Sequence, residues 1–108
     1  MSFELVARYF FDGDELHVGT RVVVEDGVVT RTEPTQKSAD VFLLSPGLVD
    51  IQMNGYGKHD VAVADKDTLL GLDQELGSHG TTSWCATFVT APLDRMSHTL
   101  EKLHSVWA

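Results

Sequence analysis

Across residues 1–45 the apolar positions come in short runs separated by Asp-Gly pairs and prolines. Phe3 to Phe11 is rich in β-branched and aromatic side chains and stops at Asp12-Gly13-Asp14. Arg21 to Glu25 (RVVVE) and Val28 to Thr32 (VVTRT) flank Asp26-Gly27, a strong signal for a tight hairpin. Asp40 to Leu44 runs into Ser45-Pro46, where the residue before proline is pushed to extended geometry. Gly13, Gly19 and Gly27 are expected to punctuate turns. The pattern predicts several short antiparallel strands, part of a β-sandwich, over residues 1–45.

From Pro46 the rhythm changes to strand, helix, strand, helix. Leu48 to Asn54 predicts a strand. Asp65 is a helix cap, followed by Leu69, Leu72 and Leu76 on one face and by Gly80 as the stop. Thr81 to Phe88 (TTSWCATF) predicts a second, buried strand. Thr90 is expected to cap a last helix, with Pro92 in its first turn and Leu93, Met96, Leu100, Leu103 and Trp107 as its apolar stripe. Strand, crossover helix, strand implies a parallel pair. The fold class expected is α/β: part of a β-sandwich (1–45), then the first two β/α units of an incomplete TIM-like barrel (46–108). A closed barrel of this kind takes about 250 residues. The chain therefore reads as the front piece of a larger enzyme.

The first barrel strand carries the chemistry. In LSPGLVDIQMNGYG, Leu44 to Gly57, alternation puts Asp50, Gln52 and Asn54 on one face and Val49, Ile51 and Met53 on the other. Gln52 and Asn54 fall at the C-terminal end of the strand, where barrels build their active sites. Gly55 and Gly57 follow and let the backbone turn or approach a ligand. The same alternation also describes a half-solvated antiparallel strand, so periodicity alone leaves both readings open.

Composition narrows the field. The chain has 108 residues, 43% hydrophobic and 22% charged, as an ordinary globular domain does. A formal charge of -8 argues against nucleic acid or an anionic membrane as partner. One cysteine, Cys85, suggests a reducing compartment. No leader pattern opens MSFELVARYFFDGDEL and no apolar run approaches a membrane span, so a cytoplasmic location is expected.

LSPGLVDIQMNG resembles the first barrel strand of the amidohydrolase superfamily, where a stretch of the type Pro-Gly-x-x-Asp-x-His-x-His supplies two metal ligands. It is more specifically similar to the N-acetylglucosamine-6-phosphate deacetylase family, many members of which carry Gln-x-Asn-Gly instead. Gly80-Thr81-Thr82-Ser83 and Ala86-Thr87-Phe88-Val89-Thr90 are similar to that family's second strand, with Ala86 where proline is usual. The Asp26-Gly27 hairpin matches its N-terminal β-sandwich. Tyr56, Lys58 and His59 occupy a loop that is commonly richer in glycine.

The resemblance implies hydrolysis of the acetamido group of N-acetylglucosamine 6-phosphate to glucosamine 6-phosphate and acetate. In the intact enzyme a divalent metal, zinc or similar, would supply hydroxide and polarise the amide carbonyl, with a carboxylate as base and then acid. A carboxamide oxygen is a weak, hard ligand beside imidazole. Gln52, Asn54 and Gly55 are therefore expected to contact substrate or site water, Asp50 to be a structural acceptor, and this chain alone to hold no metal. The metal ligands and the catalytic aspartate are expected beyond residue 108, so the chain alone is expected to be inactive. An amino-sugar phosphate substrate and a homo-oligomer are the partners implied.

Other candidates carry less. His59 is expected to be a solvent-exposed loop residue, His79 a helix-end cation, and His98 and His104 do not share a helix face. Cys85 reads as a small buried hydrophobe, and Trp84 and Trp107 as packing residues. The competing functions are another amidohydrolase, which His-x-His at 52 and 54 would have favoured, and a non-catalytic interaction module that self-associates through its sheet edges and apolar helix faces.

Overall fold

The computed structural model describes residues 1–107, and the side chain of Trp107, whose packing role was expected above, lies outside the described residues. The chain divides into two compact units, Met1–Pro46 and Gly47–Ala108.

The first unit is a four-stranded sheet of β1 (Ser2–Phe11), β2 (Leu16–Glu25), β3 (Val28–Pro34) and β4 (Val41–Leu44), ordered β3-β2-β1-β4. Asp26 and Gly27 form the two-residue turn between β2 and β3, with Glu25 opposite Val28. The turn between β1 and β2 is built on Asp12, whose Oδ1 accepts from the N–H groups of Asp14 and Glu15 at 2.8 Å each. Its Oδ2 meets His17 Nε2 at 2.8 Å. Arg21 on β2 bridges Glu4 on β1 and Glu33 on β3, tying three strands across one face. Val6, Ala7, Val22 and Val23 are buried.

Two expectations fail here. β4 lies parallel to β1, with Ala7 opposite Val41, so the sheet is mixed rather than antiparallel. Asp40 makes the join, since its carboxylate accepts from Val6 N–H at 2.8 Å and its own N–H donates to the Val6 carbonyl. Gly19 is no turn: β2 runs through it, from Leu16. Its φ of +63° suits glycine, and a Cβ there would stand 2.7 Å from the Thr35 carbonyl oxygen.

The second unit places α1 (Lys66–Ser78) between two parallel strands, β5 (Leu48–Met53) and β8 (Thr81–Ala86). A two-stranded ribbon, β6 (Gly55–Tyr56) with β7 (His59–Asp60), and a 3-10 turn, Val61–Val63, precede α1; α2 (Leu93–Trp107) follows β8. Asp65 caps α1 as expected, accepting from Thr68 N–H at 2.9 Å. The hydroxyl and N–H of Thr68 hold its carboxyl below the usual range. Leu69, Leu72 and Leu76 point into a core completed by Met53, Val61, Ala64 and Leu103, with Trp84, Ala86, Phe88 and Val106 against it. Leu72 is wholly buried, worth about 1.5–3 kcal/mol for a leucine. α2 begins one residue after Pro92, whose carbonyl accepts from Met96 N–H, so Pro92 sits at the cap rather than in the first turn. Of its expected stripe Leu103 is buried, whereas Leu93 and Leu100 are exposed.

The chain is thus a mixed α/β protein. Among the described residues no helix is long and apolar enough to cross a membrane.

Candidate functional site

Gln52, Asn54 and Gly55 stand at the C-terminal end of β5, beside the end of β8. Strict alternation along β5 does not hold. Asp50 pairs with Trp84 and Met53 with Ala86, so three steps on β5 match two on β8, a bulge of the kind that re-aims side chains. Asp50 accepts from Gln52 N–H through Oδ1 at 2.8 Å. Met53 is 7% exposed, toward α1, whereas Ile51 and Val49, expected on the same face, are 78% and 67% exposed. Gln52 and Asn54 are both exposed, flanking the buried Met53.

Asn54 is held at both its side chain and its backbone by this chain. Its Oδ1 accepts from Thr87 Oγ1 at 2.6 Å, its carbonyl accepts from Val61 N–H, and Thr87 N–H donates to the Met53 carbonyl. Gly55 then admits the ribbon: its φ is +157°, and a Cβ would lie 2.4 Å from the His59 carbonyl oxygen. A cavity of about 330 Å³ opens beside Asn54, lined among others by Asp60, Phe88, Thr90, Arg95 and Thr99. It offers an apolar floor with hydroxyl, carboxamide, carboxylate and guanidinium groups around it, a mixture suited to a polar small molecule. A larger cavity, about 490 Å³, lies by Leu69, Asp73, Thr82 and Trp84, away from Asn54.

Two expectations about neighbouring residues are overturned. The His59 side chain is only 12% exposed: it lies against Gly71 of α1, where a Cβ would come 2.9 Å from its Cε1, and its Nε2 is 3.4 Å from Glu75. The ribbon turns it inward; a structureless loop would have left it in solvent. Cys85 is exposed rather than buried. It alternates with Trp84 and Ala86, which take the α1 side of β8, so it faces away from the core. Trp84 packs as expected and donates from Nε1 to Asp73 Oδ1 at 3.0 Å. His79 ends α1 and meets the Tyr56 ring edge-on.

Thr87 has a role that no local pattern in the sequence marks, because its partner is 33 positions away. Nothing in the sequence pattern marks the ribbon either, whereas Val61-Ala62-Val63-Ala64, which forms the 3-10 turn after it, is an apolar run that a loop does not require.

The residues present do not fit a divalent metal. Among the described residues no three of His, Cys, Asp and Glu stand together as ligands, and the one good oxygen donor of Asn54 is taken by Thr87.

No protein-family model matches the chain. Over 67 residues it is 36% identical to N-acetylglucosamine-6-phosphate deacetylase of Bos taurus, a match covering 59% of this chain and 16% of that protein. Over 83 residues it is 32% identical to N-acetylgalactosamine-6-phosphate deacetylase of Escherichia coli O157:H7, covering 74% of this chain and 22% of that one. The fold matches the crystal structure of N-acetyl-D-glucosamine-6-phosphate deacetylase from Mycobacterium smegmatis with a TM-score of 0.80 at 22% identity, over 95% of this chain and 31% of that one. It also matches N-acetylglucosamine-6-phosphate deacetylase from Pasteurella multocida with a TM-score of 0.70 at 19% identity, over 97% of this chain and 31% of that one. The chain thus spans less than a quarter of the curated relatives' length and under a third of the solved structures. The resemblance read from Gln52-Met53-Asn54-Gly55 is borne out: the chain is related to the N-terminal region of the N-acetylglucosamine-6-phosphate deacetylases.

Proposed function

We propose that this chain is the N-terminal part of a metal-dependent deacetylase that hydrolyses the acetamido group of N-acetylglucosamine 6-phosphate to glucosamine 6-phosphate and acetate. In this reading residues 1–45 are a portion of a β-sandwich and residues 46–108 the first two β/α units of a (β/α)8 barrel. The observation that carries it is the carboxamide pair, Gln52 and Asn54, at the C-terminal end of a strand that lies parallel to its neighbour across α1. Active sites of barrels are built at those strand ends.

Gln52 and Asn54 contact the substrate or a site water, and Gly55 lets the backbone pass close to it. The metal ligands and the acid–base carboxylate come from strands outside this chain, so residues 1–108 alone are inactive. The assembled enzyme is cytoplasmic and homo-oligomeric, and binds neither nucleic acid nor membrane, in keeping with the charge of -8. The relative acting on N-acetylgalactosamine 6-phosphate supports an N-acetylated amino-sugar phosphate more broadly, with the 4-epimer as the second substrate to assay.

The test is complementation. This chain is mixed with a polypeptide carrying the remaining strands of the bovine relative and assayed for acetate release from N-acetylglucosamine 6-phosphate. Activity in the mixture, and in neither piece alone, is expected. A mixture that associates, takes up zinc and still releases no acetate overturns the reading. The interaction-module reading rests on the exposed Val49, Ile51 and Leu93. It predicts instead a stable self-assembly of this chain that the second polypeptide leaves unchanged.

A further inference from the structure

The carboxamide of Asn54 has two ends, and only one can face the site. Its Oδ1 is engaged by the Thr87 hydroxyl at 2.6 Å, and no partner for its NH2 exists among the described residues. Thr87 is itself fixed to β5 by its N–H on the Met53 carbonyl, and the Asn54 carbonyl is fixed by Val61 N–H. The hydroxyl donor is thus anchored next to the residue it orients. Asn54 also lines the cavity of about 330 Å³.

We infer that Thr87 is a positioning residue, which turns the Asn54 oxygen onto β8 and presents the Asn54 NH2 to the cavity as a hydrogen-bond donor. The group that Asn54 takes is then an acceptor: a substrate carbonyl or hydroxyl oxygen, or the lone pair of a site water. A cation is excluded at this end, because an amide NH2 has no lone pair to give. The inference deepens the deacetylase reading and rests on it only for what occupies the cavity. The orientation itself belongs to this chain.

Asn54 is the chain's single asparagine, so its side-chain NH2 is a unique asparagine pair in the nitrogen–proton spectrum of the labelled 108-residue protein. In the unaltered chain the Asn54 NH2 protons are expected to exchange with water and to show no strong Overhauser contact with the Thr87 β-proton. Thr87→Val, which removes the donor at nearly constant shape, should shift the pair to the position of a free carboxamide. Thr87→Ser should restore it. A strong contact between the NH2 protons and the Thr87 β-proton, or an unmoved pair in Thr87→Val, overturns the inference. Should Thr87→Val fail to fold, judged by the Leu72 methyl resonances, the Overhauser contact in the unaltered chain decides by itself.

In the complemented enzyme, Thr87→Val should lower kcat by roughly 10- to 100-fold, the scale of a misplaced site group. Thr87→Ser should recover most of it. If the unaltered mixture has no activity while the spectra behave as expected, the deacetylase reading falls and the orientation stands.

Discussion

The two units hold their strands together by different means. In the first unit, β1 meets β2 across the Asp12–Glu15 turn and β2 meets β3 across Asp26-Gly27, so most pairing is between neighbours in sequence. In the second, β5 meets β8 only after a ribbon, a 3-10 turn and α1 have intervened. The first unit draws its order from turn chemistry, and each turn is a local agreement of a few residues. The second draws it from the core around Leu72, on which the spacing of Asn54 and Thr87 depends. A fault in a turn should therefore stay local in the first unit, while a fault in the core of the second should reach the site.

The largest effect is expected from Leu72→Ala. Leu72 is fully buried, and such truncations cost about 2–5 kcal/mol. Hydrogen exchange should accelerate across β5, α1 and β8 while the amides of β1 and β2 keep their protection. Equal acceleration in both units would show that the core around Leu72 holds the first unit as well.

Gly55→Ala should come next. A side chain at this φ of +157° carries strain of about 1–3 kcal/mol, and its Cβ would press on the His59 carbonyl. The ribbon should detach from α1, releasing His59 from Gly71 and Glu75, and the Asn54 side-chain resonances should broaden. An unchanged His59 ring environment would contradict this.

The smallest effect is an acid limb confined to the first unit. The Glu15 N–H, then His17 and the Asp14 N–H, hold the Asp12 carboxyl down at about 2, below its ordinary 3.8. A depressed carboxyl contributes stability that is complete above its unfolded value and lost as pH falls through the folded one. The Asp14 and Glu15 amide resonances should titrate together near pH 2, and Asp12→Asn should abolish that titration. A midpoint near 4 would show that the turn does not hold the carboxylate.

The same contrast explains what could be read beforehand. The Asp26-Gly27 hairpin, the Asp65 cap and the Leu69, Leu72, Leu76 stripe each depend on residues within a helical turn or a two-residue loop, and each forms as the pattern predicts. Gly19 reads as a turn in the sequence because its partner, Thr35, lies across a strand pair. The exposure of Cys85 and the inward turn of His59 depend on which face of β8 meets α1 and on a ribbon no local signal announced. At the site, the strand end carrying Gln52, Asn54 and Gly55 is legible in the sequence, whereas the bulge between Asp50 and Met53 and the bond from Thr87 are not. Contacts made across many residues leave little trace in periodicity.

In the proposed enzyme, the side of β5 and β8 turned away from α1 becomes the inner wall of a larger barrel. Cys85, the one thiol in the chain, reports on that wall directly. Alkylation of Cys85 should be rapid in this chain alone and strongly suppressed once the complementary strands of a related deacetylase are bound. An alkylation rate that stays the same in a complex shown by sedimentation to have formed would place Cys85 outside that wall.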